Sequence, residues 1–227
     1  LLTQSRQDAK KINKGFLCVL ASWLAFGVAP LYSESSAPPA LSVFLRFDES
    51  YSEPLLASMK SEVERILRPA GIRVVWQGTA GPETFPDLVV VRFRGRCKVT
   101  EPVMSSELGP YDDSVGLGST YVTDGYIHSY GEVQCDNVRQ LINSVARGAD
   151  RRKQEEILGR GLGRVLAHEL RHMLLKQADH SHGGIAKRAH SARDLAFGDF
   201  LFDEKDVSEL QRRWKALTSG EPGAPPQ

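Results

Sequence analysis

Residues 165–182 read Val-Leu-Ala-His-Glu-Leu-Arg-His-Met-Leu-Leu-Lys-Gln-Ala-Asp-His-Ser-His, a stretch that holds four of the six histidines of the chain. In an α-helix His168 and His172 stand one turn apart, about 40° around the axis, so both imidazoles can close on one tetrahedral metal ion. At about 100° per residue, Leu162, Leu166, Leu170 and Met173 fall on one stripe, and Arg160, Arg164 and Arg171 fall on the opposite flank of the histidines. Glu169 lies between the histidines and the apolar stripe. The segment therefore predicts a helix with a core face, a metal face and a basic flank, and the rest of the chain must build a fold that supports it. The simplest reading of the basic flank is a solvated face; the sharper one is a preference for acidic groups beside the metal.

HExxH is the spacing that zinc hydrolysis requires. Two neutral imidazoles hold Zn²⁺, and the carboxylate between them reaches a water on the metal without ligating the metal itself. Zinc lowers the pKa of that water towards about 7, so Glu169 can act as general base at neutral pH. A third protein ligand leaves one position open. His180 is the first choice, eight residues after His172 and followed by Gly183-Gly184, with Asp179 and Ser181 suited to a turn. His182, His190 and Asp194 are the alternatives. Were a fourth side chain to close the same site, it would be a non-catalytic structural zinc centre.

At these residues the chain resembles the zincin metallopeptidases, and within them the metzincin-like proteins, whose pattern is HExxHxxGxxH followed by a tight turn containing methionine. His168, Glu169 and His172 match. Leu175 stands at the glycine, and the third histidine comes two residues late. The chain is more similar to a group of uncharacterised secreted bacterial zincin-like proteins, in which HELxH is followed by a Leu-Leu pair, His-Ser and then Gly-Leu-Met. The counterpart of that last triplet is Gly184-Ile185-Ala186, without the methionine. The resemblance spans residues 158–203. It implies an α+β fold, a zincin-like domain in which a mixed twisted sheet packs on a long metal-binding helix, with a smaller, mainly helical C-terminal part. It also implies a metalloendopeptidase acting on a peptide or protein substrate, with Zn²⁺ held by His168, His172 and His180.

The remaining sequence fits one such domain at residues 36–217. Lys10, Lys11 and Lys14 precede an apolar run over 15–32, with small residues after it, the layout of a secretory signal peptide over 1–35. Export to the periplasm or the medium follows, with an uncleaved membrane anchor as the alternative. Cys18 has no lipobox-like context. A net charge of +1 gives no electrostatic case for nucleic acid, and no stable membrane span remains once the signal is removed. In an exported chain Cys97 and Cys135, the pair left after the leader, read as a disulfide. Glycines 159, 161 and 163 do not fit a nucleotide motif, and they suggest close packing of the metal helix on the sheet.

Alternating apolar residues predict strands over 41–47, 72–76 and 88–93, with a helix over 53–67 ended by Pro69-Ala70-Gly71. Two further strand candidates, 116–122 and 128–134, flank the turn Thr123-Asp124-Gly125. One of them should be the edge strand that lines the cleft of zincin-like proteins and accepts an extended peptide. Tyr121, Tyr126 and Tyr130 are the hydroxyls such a strand offers to an oxyanion, although strand tyrosines ordinarily pack, and His128 reads as a surface or packing residue. Asp136 is placed as the cap of a helix over 137–146, Asp150 as that of the metal helix and Asp203 as that of a last helix carrying Val207, Leu210 and Trp214. A disordered Gly and Pro tail is expected over 218–227.

Overall fold

The computed structural model describes residues 39–78, 88–99 and 116–219, and the expected leader and the chain from 220 onward lie outside them. Leu41–Phe47 forms β1, Val74–Gln77 β2, Leu88–Arg94 β3, Gly118–Thr123 β4 and Tyr126–Gln134 β5, in one sheet ordered β2-β1-β3-β5-β4. The first three pairings are parallel, and β4 pairs antiparallel with β5 at the edge. The sheet is mixed and the fold is α+β, as expected. In β3 the buried Val89, Val91 and Phe93 alternate with less buried neighbours, so that one face of the sheet supplies the core. The β4 to β5 turn takes the left-handed backbone at Asp124 (φ 52°) and Gly125 (φ 77°), the combination a tight hairpin requires.

Five helices complete the described chain: α1 (Glu53–Leu67), α2 (Cys135–Ala146), α3 (Arg151–Leu175), α4 (Ala192–Ala196) and α5 (Glu204–Ser219). The caps at Asp150 and Asp203 form as the sequence predicts, accepting from the backbone of Lys153 and Asp206. Asp136 does not cap. Strand β5 runs straight into α2 at Cys135, and the Asp136 carboxylate, inside the first turn, takes the Arg139 guanidinium instead. Strand β2 starts at Val74, two residues late, because the left-handed Gly71 and the bond from Ile72 N to Leu67 O close the end of α1 first. Helix α5 continues to Ser219, past the expected start of the tail. Among the described residues no helix is long and apolar enough to cross a membrane.

Helix α3 runs for 25 residues and is the axis of the molecule. Its glycines do not face the sheet. Gly159 and Gly163 lie against the backbone of α1, where a Cβ on Gly163 would stand 2.7 Å from Met59 O, and Gly161 lies against Ile142 of α2. They let helix backbones approach each other, and the sheet contact falls to Val165 and Met173 beneath Gly118 and Gly131. Cys97 and Cys135 stand at disulfide distance, with Cα atoms 5.0 Å apart, and tie the end of β3 to the start of α2.

Candidate metal centre

The C-terminal half of α3 carries His168, Glu169 and His172 into the interior, each less than a tenth exposed. The helix stops at Leu175, and Lys176 adopts the left-handed conformation (φ 56°), which turns the chain back under the histidines. Its ammonium is anchored to Ile127 O at 2.9 Å on β5. The returning segment brings the His180 ring to 5.1 Å from that of His168 and 4.9 Å from that of His172. One ligating nitrogen from each of the three lies within 4.8 Å of the others, the one such group among the described residues.

The other three candidates do not join. His182 is exposed on the turn. Asp194 is occupied by Lys187 at 2.6 Å and by a capping box with Ser191 at the start of α4. His190 reaches the same cavity, with its ring 5.5 Å from that of His168, but stays outside the ligand group.

The tautomers follow from the backbone. His168 Nδ1 lies 2.7 Å from Ile185 O, and His172 Nδ1 lies 2.6 Å from Gln177 O. A carbonyl only accepts, so each Nδ1 carries the proton, and both Nε2 atoms are lone pairs. Those lone pairs face each other at 3.0 Å. Neither can donate to the other, and a shared cation resolves the contact. Two imidazoles at about 2.0 to 2.1 Å on a tetrahedral ion have nitrogens about 3.3 Å apart, so the spacing fits. Burial lowers the pKa of His168 to about 3 and also lowers those of His172 and His180, which keeps all three rings neutral and ready to ligate. The residues present therefore fit a metal ion, whose identity the geometry leaves open.

The carbonyl that orders His168 comes from the segment Gly184-Ile185-Ala186. Gly184 is left-handed (φ 61°), Ile185 N bonds Leu201 O, and Ala186 is fully buried.

Glu169 is 4% exposed, and its Oε2 accepts from Thr120 Oγ at 2.7 Å. Burial raises its carboxyl to about 7, against the lowering effect of the Thr120 hydrogen bond. A Cβ on Gly118 would stand 2.7 Å from Oε1, so this glycine keeps the second oxygen accessible. Thr120 and Gly118 both sit on β4, the edge strand that lines the cavity, and they are two site residues that sequence reasoning missed. Their signal was the period of two once that edge strand is placed over the helix. The tyrosines take the opposite face: Tyr121 is 60% and Tyr126 53% exposed, Tyr130 donates to Glu132, and none of them lines the cavity.

The cavity is about 750 Å³ in volume, bounded by β4 above and α3 below, with Leu141, Val165 and Ala192 on its apolar side and Arg188 at the histidine end. The expected solvated flank is instead a pair of buried stitches. Arg164, 1% exposed, donates to Glu62 Oε1 at 2.6 Å and to the carbonyls of Asp194, Phe197 and Gly198. Arg171, 2% exposed, donates to Asp206 at 2.8 Å and to Asp179 O at 2.8 Å. Helix α5 and the chain on either side of α4 cover this flank, so the guanidiniums face protein rather than substrate. No protein-family model matches the chain, and no curated protein matches it.

Proposed function

We propose that this chain is an exported zinc-dependent peptidase with a zincin-like domain. The observation that carries the reading is the facing pair of Nε2 lone pairs, completed by His180, with a buried carboxylate beside them under an edge strand. The three imidazoles would hold zinc, which would supply a Lewis acid to polarise the substrate carbonyl and acidify water. Glu169 takes a proton from the attacking water and returns it to the leaving nitrogen, so that a C–O bond forms as the C–N bond breaks. Thr120 occupies Oε2 and leaves Oε1, opposite Gly118, for that proton.

Among the described residues strand β4 ends the sheet, and an edge of this kind can take up an extended peptide, the substrate class this reading assigns. The apolar side formed by Leu141, Val165 and Ala192 suits an apolar side chain next to the scissile bond. Export is supported by the basic-then-apolar leader pattern and by the Cys97–Cys135 pair.

A closed, non-catalytic zinc site is the second reading, favoured by a fourth imidazole, His190, next to His168. Metal content and cleavage of an unfolded protein, measured for the parent and for Glu169→Gln, separate the two. One zinc in each with cleavage by the parent only is the expected result. Zinc in both with cleavage by neither favours the closed site, and a parent that binds no metal overturns both readings.

A further inference from the structure

Arg188 is the charge of the cavity that the proposed reaction does not use. Of the side chains lining that cavity, Glu169 is the one carboxylate and Arg188 the one cation; the others are apolar, hydroxyl-bearing or imidazole. The arginines of the metal helix face away from it, Arg164 onto Glu62 and Arg171 onto Asp206. Arg188 is exposed and, among the described residues, makes no hydrogen bond or ion pair. On an open surface such a residue needs no explanation, but this one stands on the wall that also carries the three histidines.

Its backbone is anchored on both sides. Lys187, the residue before it, bridges to Ser181 and pairs through its ammonium with Asp194 at 2.6 Å. Ser191, three residues after it, opens α4 through a capping box with the same Asp194. The short segment between these points presents the guanidinium beside His180. Burial first, and the positive charge of Arg188 next, lower the pKa of His180, which places that charge at the metal end of the cavity. A guanidinium is a planar fork that matches a carboxylate with two parallel bonds. The carboxylates nearby are already engaged: Asp194 by Lys187 and Ser191 N, Asp206 by Arg171 and Ser181, Glu169 by Thr120, and Asp179 faces Arg171 at 4.0 Å.

We infer that Arg188 is a specificity-determining residue that binds a carboxylate of the substrate peptide at the His180 end of the cavity. The substrate class is then an extended peptide that carries an acidic group as well as an apolar one. A Glu or Asp side chain and a free chain end share this chemistry. The inference rests on the peptidase reading for its substrate, and its test is read by binding rather than turnover.

The probes are end-blocked, fluorescein-labelled hexapeptides that differ by Glu, Gln or Lys at one position, with that position moved along the peptide, and a Gln peptide left with a free C-terminal carboxylate. Their binding to the zinc-loaded full chain carrying Glu169→Gln, which should not cleave them, is measured by fluorescence anisotropy with Arg188 intact, Arg188→Gln or Arg188→Glu. At one position Glu should bind about 5-fold tighter than Gln, a preference lost in Arg188→Gln and turned into one for Lys in Arg188→Glu. Zinc content and melting temperature should be the same in all three, because the side chain has no partner among the described residues to lose. A gain confined to the free-ended peptide and lost in Arg188→Gln supports the inference with a chain end as the source. Equal binding of all peptides overturns it and leaves the peptidase reading intact. A preference that persists in Arg188→Gln does the same, since the metal would then be the partner of the carboxylate. The expected preference in a protein whose parent cleaves none of these peptides sinks the peptidase reading and leaves the role of Arg188 standing, and no binding of any peptide overturns both.

Discussion

Arg171 and Asp206 form an ion pair with both side chains almost wholly out of water, Nε to Oδ1 2.8 Å and the side chains 2% and 1% exposed. The same guanidinium donates to Asp179 O, and the same carboxylate accepts from Ser181 Oγ at 2.7 Å. His180, the one histidine of the three without a helix of its own, is thereby clamped on both sides by one pair that joins α3 to α5.

Truncating Asp206 to alanine strands a buried guanidinium and releases Ser181. Loss of one partner of a buried pair costs about 3 to 5 kcal/mol, and loss of outer support around a ligand costs about 10- to 100-fold in metal affinity. Urea denaturation of the metal-free protein and competition with a zinc chelator measure the two losses. Metal affinity equal to that of the parent would show that His180 is positioned by something else.

Thr120→Val removes the hydrogen bond that lowers the Glu169 carboxyl, so the carboxyl, already at about 7, moves further up. A general base works when deprotonated, and the acid limb of kcat/KM must therefore move to higher pH. Activity near pH 6 should fall roughly tenfold while that near pH 9 changes little, since one hydrogen bond of about 1.4 kcal/mol is worth a factor of ten. A pH profile of the two proteins checks this, and a uniform loss across the range would point to misplacement of Glu169 instead.

Gly163→Ala should destabilise the protein even though alanine favours a helix by about 1 kcal/mol. The new methyl would meet Met59 O at 2.7 Å and Glu62 Cβ at 3.0 Å, and one of these contacts is backbone that cannot rotate away. A net loss of about 1 to 2 kcal/mol is expected in denaturant titrations. A gain would mean that α1 and α3 can separate without cost.

Acid should weaken the segment that carries His190. Burial pushes the Asp194 carboxyl up, but the bonds from Lys187 and Ser191 outweigh it and hold the group at about 2, below its ordinary 3.8. A folded-state value below the unfolded one gives stability that is complete above about pH 4 and lost as pH falls towards about 2. Glu62 adds to the same trend: burial raises it, and Arg65 and Arg164 together bring it below its ordinary value. Thermal melts between about pH 5 and pH 2 should show a shallower decline in Asp194→Asn than in the parent. Parallel declines would remove Asp194 from the account.

What the sequence made legible is what local spacing encodes. The His168 to His172 step, the stripe on α3, the strand alternation and the Asp-Gly hairpin each lie within a few residues, and each forms. His180 was legible because the chain returns within eight residues of His172. The buried arginines were not, because their counter-charges arrive from 102 residues before Arg164 and 35 after Arg171, and a charged helix flank looks the same whether water or carboxylates await it. Thr120 was hidden for a related reason: its contact with Glu169 depends on which edge strand crosses the helix and in what register, 49 residues away. The glycines of α3 signalled close approach correctly, but composition does not say that the neighbour is a helix.

The Cys97–Cys135 bridge spans 38 residues, and the whole β4–β5 hairpin, the roof of the cleft, lies between its ends. The roof thus belongs to a covalent ring that closes between the end of β3 and the start of α2. A backbone cut anywhere inside the ring leaves both pieces attached to the same molecule, so nicking does not detach the roof. A thiol reductant turns the same cut into a severed chain, and whether a nick releases the roof becomes a property that the surrounding redox chemistry sets.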